Sequence, residues 1–195
     1  MKTTACLALA LAVSTAAVAL AGDRFGPKAD LESLSGSYAS TAPEPWYGGF
    51  GTREFAFSGG NWSLVFTHAL DPEMRRKTFR FRTEGPYAVG APSRVVDGAF
   101  EAVFYENFKF VTLLTDDAAL AAAMGLAACG LRVGEETDIS ARGCAGWKPV
   151  AICREDHDLL AIGAAGLYFG VRPRDNDMCT ADKRPTALLM PVVRR

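Results

Sequence analysis

The sequence predicts a mainly β protein, an antiparallel β-barrel with one flanking helix, and three observations point there. Short runs such as Thr78-Phe79-Arg80-Phe81-Arg82 alternate aromatic with charged residues, the period of two that a half-buried strand requires. Clusters of glycine, asparagine, aspartate and proline separate these runs and supply turns. One segment, 118–128, interrupts the pattern with the alanine-rich composition of a helix.

Residues 1–21 read as a signal peptide rather than as structure. Lys2 gives a positive start, Ala5 to Val13 an apolar run, and Ala19-Leu20-Ala21 small residues for cleavage, which places the mature start near Gly22. The run is shorter than the roughly 20 residues a membrane span needs, and Ser14 and Thr15 interrupt the next apolar stretch. No later run approaches that length, so a soluble, secreted or periplasmic protein without a membrane span is expected. The remainder, 22–195, suits a single domain with its own core. Net charge is −1 and the lysines and arginines are scattered. A nucleic-acid binder neutralises phosphates with a basic stripe, and the sequence has none.

Cys6 departs with the signal peptide and leaves Cys129, Cys144, Cys153 and Cys179. An even set in an oxidising compartment means two disulfides. Of the possible pairings, Cys129 with Cys144 and Cys153 with Cys179 is preferred, because it closes two loops that do not cross. A zinc site is the competing reading. The spacings hold no C-x-x-C pair and no histidine at ligand distance in sequence, so no metal is expected.

A short helical or irregular lead, Pro27 to Leu34, opens the domain, and Leu34 to Tyr38 begins an extended segment. Glu54-Phe55-Ala56-Phe57 alternates, Gly59-Gly60-Asn61 tolerates positive φ, and Trp62, Leu64 and Phe66 alternate again, which is a hairpin signal. Asp71-Pro72 ends that arm. The arm carrying Phe79 and Phe81 is expected to pair with 94–106, where Phe100, Ala102 and Phe104 share a face. Phe108, Phe110 and Thr112 continue the alternation on a further strand. A meander whose aromatic faces all need cover closes into a barrel, because closure removes the edges. Thr115-Asp116-Asp117 caps the helix 118–128, Gly130 stops it, and the helix flanks or plugs a barrel end. Val150 to Cys153, Asp158 to Ile162 and Leu167 to Gly170 read as short closing strands, Glu155 to Asp158 with His157 as a solvated turn, and 172–186 as a polar loop.

Taken in order, several of these segments resemble a known family. They are Leu34-Ser35-Gly36-Ser37-Tyr38, Thr52-Arg53-Glu54-Phe55-Ala56-Phe57, Lys77-Thr78-Phe79-Arg80-Phe81-Arg82-Thr83-Glu84-Gly85 and Val96-Asp97-Gly98-Ala99-Phe100-Glu101-Ala102, with a looser match at Leu167-Tyr168-Phe169-Gly170 and Arg184-Pro185-Thr186. The chain is similar here to the ectodomain of the adenomatosis polyposis coli down-regulated proteins, whose animal members inhibit Wnt signalling. The resemblance implies a calycin-like barrel with a hydrophobic cavity that accepts a lipid chain, linked in animal members to capture of the acyl group on Wnt. The sequence departs from the family in having one barrel without an anchor where animal members have two and an anchor. Ala42 and Met74 also stand where two family cysteines are found. The resemblance therefore implies lipid binding and leaves any role in Wnt signalling open.

A lipid-holding barrel needs apolar inward positions, since each methylene removed from water gains roughly 0.8 kcal/mol. Phe55, Phe57, Trp62, Leu64 and Phe66 supply them from the first hairpin, and Phe79, Phe81, Phe100, Phe104, Phe108 and Phe110 from later strands. His68, in phase with Trp62, Leu64 and Phe66, is a candidate polar handle near a barrel mouth. The same side chains serve equally to fill a dry core. The partners expected are a fatty acid, a lipid or a lipidated peptide, without a cofactor. No G-x-S-x-G elbow, H-E-x-x-H or phosphate loop occurs, and nothing sets the pKa values of Glu101 and Glu106 apart as acid–base work requires. A binding module is thus expected rather than an enzyme. The alternatives are a barrel enzyme using His68 or Glu101, and a solid-core interaction domain. Asn61-Trp62-Ser63 is an N-glycosylation sequon at the hairpin turn, relevant where the host glycosylates.

Overall fold

The alternating runs become strands in a computed structural model that describes residues 25–195, so the expected signal peptide lies outside the described residues. A short helix α1 (Lys28–Glu32) precedes β1 (Gly36–Ala39), β2 (Glu44–Trp46), β3 (Gly49–Ser58) and β4 (Asn61–Ala69). β5 (Lys77–Pro92), β6 (Phe100–Tyr105), β7 (Phe108–Leu113) and helix α2 (Ala118–Ala123) come next. The chain ends with β8 (Glu136–Asp138), β9 (Glu155–Gly163), β10 (Gly166–Phe169) and β11 (Val193–Arg194).

The strands pair antiparallel in the order β10-β9-β6-β5-β4-β3-β1-β11. Leu167 of β10 exchanges two backbone hydrogen bonds with Val192, and Gly170 bridges Leu188. Segment 188–194 therefore joins β10 to β1 and all but closes the sheet into a barrel, as the meander pattern predicts. The first hairpin forms where expected. Ser58 faces Asn61 across a two-residue turn in which Gly59 and Gly60 both take positive φ, the combination that suits the strand twist. Asn61 is exposed and begins β4 rather than sitting in the turn.

The sheet forks at β5. Its first half, Phe79 to Glu84, pairs with β7, and its second half, Tyr87 to Pro92, pairs with β6. The arm of Phe79 and Phe81 thus lies between β4 and β7, not against 94–106. The branch occurs at Gly85-Pro86. A Cβ at Gly85 would overlap the Tyr105 carbonyl oxygen, so only glycine lets the β6–β7 junction cross so close. Asn107 N–H donates to the Glu84 carbonyl at 2.9 Å and fixes that crossing.

Among the described residues two hydrophobic cores result. The barrel core holds Phe55, Phe57, Trp62, Phe104, Leu160 and Phe169, and Leu31 and Leu34 from α1 and the segment after it pack into it. A second core lies under β7, α2 and the loops after it, around Phe66, Phe79, Phe81, Val111, Leu126 and Ile139. The helix is therefore a lid on its own core rather than a barrel plug. It is also shorter than expected: Gly125 takes positive φ, and a 3-10 turn at Ala127–Cys129 replaces the last helical turn. In β7 the inward residues are Lys109, Val111 and Leu113, so Phe108 and Phe110 face outward. Arg82 lies over the Phe110 ring at 3.9 Å, which gives that ring an outer-surface partner.

Disulfides join Cys129 to Cys144 and Cys153 to Cys179. The first staples the second core. The second anchors the 171–179 loop beside β9. Val150 to Ile152 forms a turn instead of a strand, and β9 starts at Glu155, earlier than its apolar run suggests. Among the described residues no helix is long and apolar enough to cross a membrane.

Candidate functional site

Between the two cores lies a cavity of about 60 Å³. β4 runs through both cores, with Trp62 in the first, Phe66 in the second and Leu64 against both, while β3 reaches the cavity through Phe55 of the barrel core. Phe55 stacks on Phe169 with ring centres 4.0 Å apart, and Trp62 meets Phe104 edge-on at 4.7 Å. On the opposite wall Phe81 stacks on Trp147 at 4.8 Å and Trp46 meets Phe66 at 5.5 Å. Leu64 and Leu189 complete the apolar lining.

The remaining wall is polar and buried. Asp156 and Asp158, two apart on β9, both turn inward, while His157 between them faces the other way to Glu155 at 3.1 Å. The expected solvated turn is instead strand, because each aspartate finds partners inside. Arg172 grips Asp156 through both Nη atoms at 2.7 and 3.0 Å. Asp158 Oδ1 accepts from Leu159 N–H at 2.7 Å and Gly170 N–H at 2.8 Å. Asn176 Oδ1 accepts from Arg172 Nε and from the Tyr47 hydroxyl at 3.0 Å, tying the β2–β3 turn to the 171–179 loop. Tyr47 and Asn176 both hold positive φ. Beyond them a surface groove of about 570 Å³ shares Trp46, Tyr47, Arg172 and Leu189 with the cavity as a common wall.

Burial, reinforced by the negative charge of Asp156, pushes Asp158 up to about 7. A raised acid pKa means that the folded state holds a proton which the unfolded chain releases near its ordinary value of 3.8. Stability from this group is therefore full at low pH and falls as pH rises from about 4 towards 7, by a few kcal/mol. Asp158→Asn retains the Oδ1 acceptor and removes the titration. Urea unfolding at pH 4.5 and 7.5 is expected to show a smaller loss on going to high pH in the variant than in the wild type.

Of the residues expected to line a ligand site, Phe55, Trp62, Leu64, Phe66, Phe81 and Phe104 line this cavity. Phe57 and Phe100 pack within the barrel core, Phe79 lies in the second core, and Phe110 faces outward. His68 is buried away from the cavity. Its Nε2–H donates to the Trp46 carbonyl at 3.1 Å, and its Nδ1 accepts from the Thr78 hydroxyl at 2.7 Å. That is the tautomer a carbonyl partner dictates. Burial lowers its pKa against the opposing pull of the Trp46 carbonyl, and its place is to hold the turn that carries Trp46 and Tyr47. Glu101 is on the outer side, 3.6 Å from Arg184. Glu106 is buried beside Lys109 at 2.8 Å, and burial raises its pKa.

Sequence reasoning missed Trp46, Tyr47, Arg53, Trp147, Asp156, Asp158, Phe169 and Arg172. Arg53 carried a readable signal, since it is in phase with Phe55 and Phe57, and so did Asp158, in phase with Leu160. Trp147 and Arg172 lie in irregular loops where no period exists to assign a face.

Fold and site define a disulfide-bonded antiparallel β-barrel with a small aromatic cavity and a buried ionic wall. No family model matches the chain, and no curated protein matches it.

Proposed function

We propose that the chain is a secreted or periplasmic binding protein that holds an apolar ligand without covalent chemistry, related to the Wnt-inhibitor ectodomains it resembles. The observation that carries this reading is the aromatic cavity backed against a groove through a shared four-residue wall. The cavity alone is below the roughly 300–1,000 Å³ of sites for small-molecule ligands, whereas the groove lies within that range. A fatty acid, lipid or lipidated peptide would accordingly lie along the groove with one end inserted between Phe55, Trp62, Phe81 and Trp147. Each methylene so covered gains roughly 0.8 kcal/mol. The two disulfides suit an oxidising compartment.

The small inner volume also favours a second reading, a solid-core barrel that binds a partner on its outer face. Native mass spectrometry of the protein from its own host, with organic extraction, separates the two. An apolar molecule at near one per chain is expected. A bare mass, with no uptake of added fatty acid, leaves only the solid-core reading.

A further inference from the structure

Arg53 is an anomaly in the cavity wall. It is 4% exposed, on the inward face of β3 in phase with Phe55 and Phe57. Nε and Nη2 donate to the Glu44 carboxylate at 2.9 and 2.8 Å, and Nη2 also donates to the Met190 carbonyl at 2.8 Å. Nη1 has no hydrogen-bond partner among the described residues. A buried guanidinium N–H without a partner loses its hydration with nothing in return, and such orphans are rare in native interiors. Arg53 also stands at the join of the two spaces: it lines the cavity, while Glu44 and Met190, which it binds, line the groove.

We infer that Arg53 is the polar anchor of this pocket, and that the ligand it selects is an apolar chain bearing a neutral carbonyl oxygen, which accepts from Nη1. This rests on the protein being a binder of apolar ligands. The charge balance of the wall decides between a neutral acceptor and a carboxylate. Arg53 is matched by Glu44, and Arg172 by Asp156 through two hydrogen bonds. An incoming anion would find no unmatched cation and would meet Asp156 and Asp158 across the cavity. Burial and Asp156 already push Asp158 up to about 7, so a further negative charge in the cavity is disfavoured. A ketone, ester or amide oxygen satisfies Nη1 and adds no charge.

The tryptophans of the chain, Trp46, Trp62 and Trp147, all line the cavity, so their fluorescence reports occupancy. The probes are 2-octanone, octanoate and 1-octene, titrated into the full protein at pH 8. Hydrophobicity alone ranks the alkene first. The inference expects 2-octanone to bind tightest, by about tenfold over 1-octene, the worth of a hydrogen bond from a charged donor. Arg53→Lys retains enough donors for Glu44 and the Met190 carbonyl but none to spare, and is expected to erase the preference for the ketone. Equal binding of ketone and alkene by the wild type leaves Nη1 to a buried water and overturns the inference, as does a ketone preference that survives in Arg53→Lys. Tightest binding of octanoate overturns the neutral-carbonyl class. Should Arg53→Lys fail to fold, the wild-type ranking decides alone. No fluorescence change with any probe overturns the binding reading itself.

Discussion

Lys109→Ala is expected to lower the unfolding free energy by about 3–5 kcal/mol, the cost of leaving one half of a buried ion pair without its partner. Lys109 is 1% exposed, and its Nζ spends all three donors. It contacts the Glu106 carboxylate at 2.8 Å, the Cys153 carbonyl at 2.7 Å and the Lys148 carbonyl at 3.1 Å. Alanine strands two carbonyls and a carboxylate at once. In a chain of this size the loss reads as a fall of about 10 °C in Tm. The pH dependence gives a sharper check. Burial already raises the Glu106 pKa, so without Lys109 the carboxyl takes up a proton at low pH and the deficit shrinks. As pH rises Glu106 must ionise unpaired, and the gap between variant and wild type widens. A gap that is small and constant from pH 4.5 to 7.5 would count against this account.

Gly85→Ala is expected to cost about 3 kcal/mol, at the upper end for overpacking. The Cβ would overlap the Tyr105 carbonyl oxygen, with the Tyr105 carbonyl carbon at 3.1 Å and Asn107 N at 3.2 Å. All three are backbone, so no side chain can swing aside. The β6–β7 junction has to move off β5, and the fork with it. Amide hydrogen exchange at Asn107, which is bonded to Glu84, should accelerate well beyond global unfolding. Ala88→Gly on the same strand, where no such crossing exists, serves as the control and is expected to lack that local effect.

The strands and hairpins were legible because alternation with period two is a local property of the chain. Phe55, Phe57, Trp62 and Phe66 have the burial their phase demands. β7 was misread by one residue, and a shift of one inverts every side chain. Phe108 and Phe110 look like the apolar face, yet the inward set is Lys109, Val111 and Leu113. What settles the phase is the ion pair of Lys109 with Glu106 and the cover that Arg82 gives Phe110, both of which only the folded sheet supplies. The fork was not legible either, since a strand that changes partner at Gly85 has the same alternation as one that does not. Six of the seventeen residues of the cavity wall, Phe55, Trp62, Leu64, Phe66, Phe81 and Phe104, were readable for the same local reason. Asp156 and Phe169 come from β9 and β10, and most of the rest from the β2–β3 turn and from loops, among them the one that Cys153–Cys179 and the buried Arg172–Asp156 pair pull inward.

The seam at segment 188–194 bears on how the molecule assembles. Tyr38 pairs with Arg194, and Leu167 with Val192, so the ring closes between stretches near opposite ends of the described chain. Loop entropy makes such closure only slightly unfavourable at equilibrium, but distant pairings form slowly. Until that stretch docks, β1 and β10 each present an open row of backbone donors and acceptors. A nascent chain that has made every hairpin is still a curled ribbon with two sticky margins, and its most vulnerable moment for pairing with a second copy is the last one before completion.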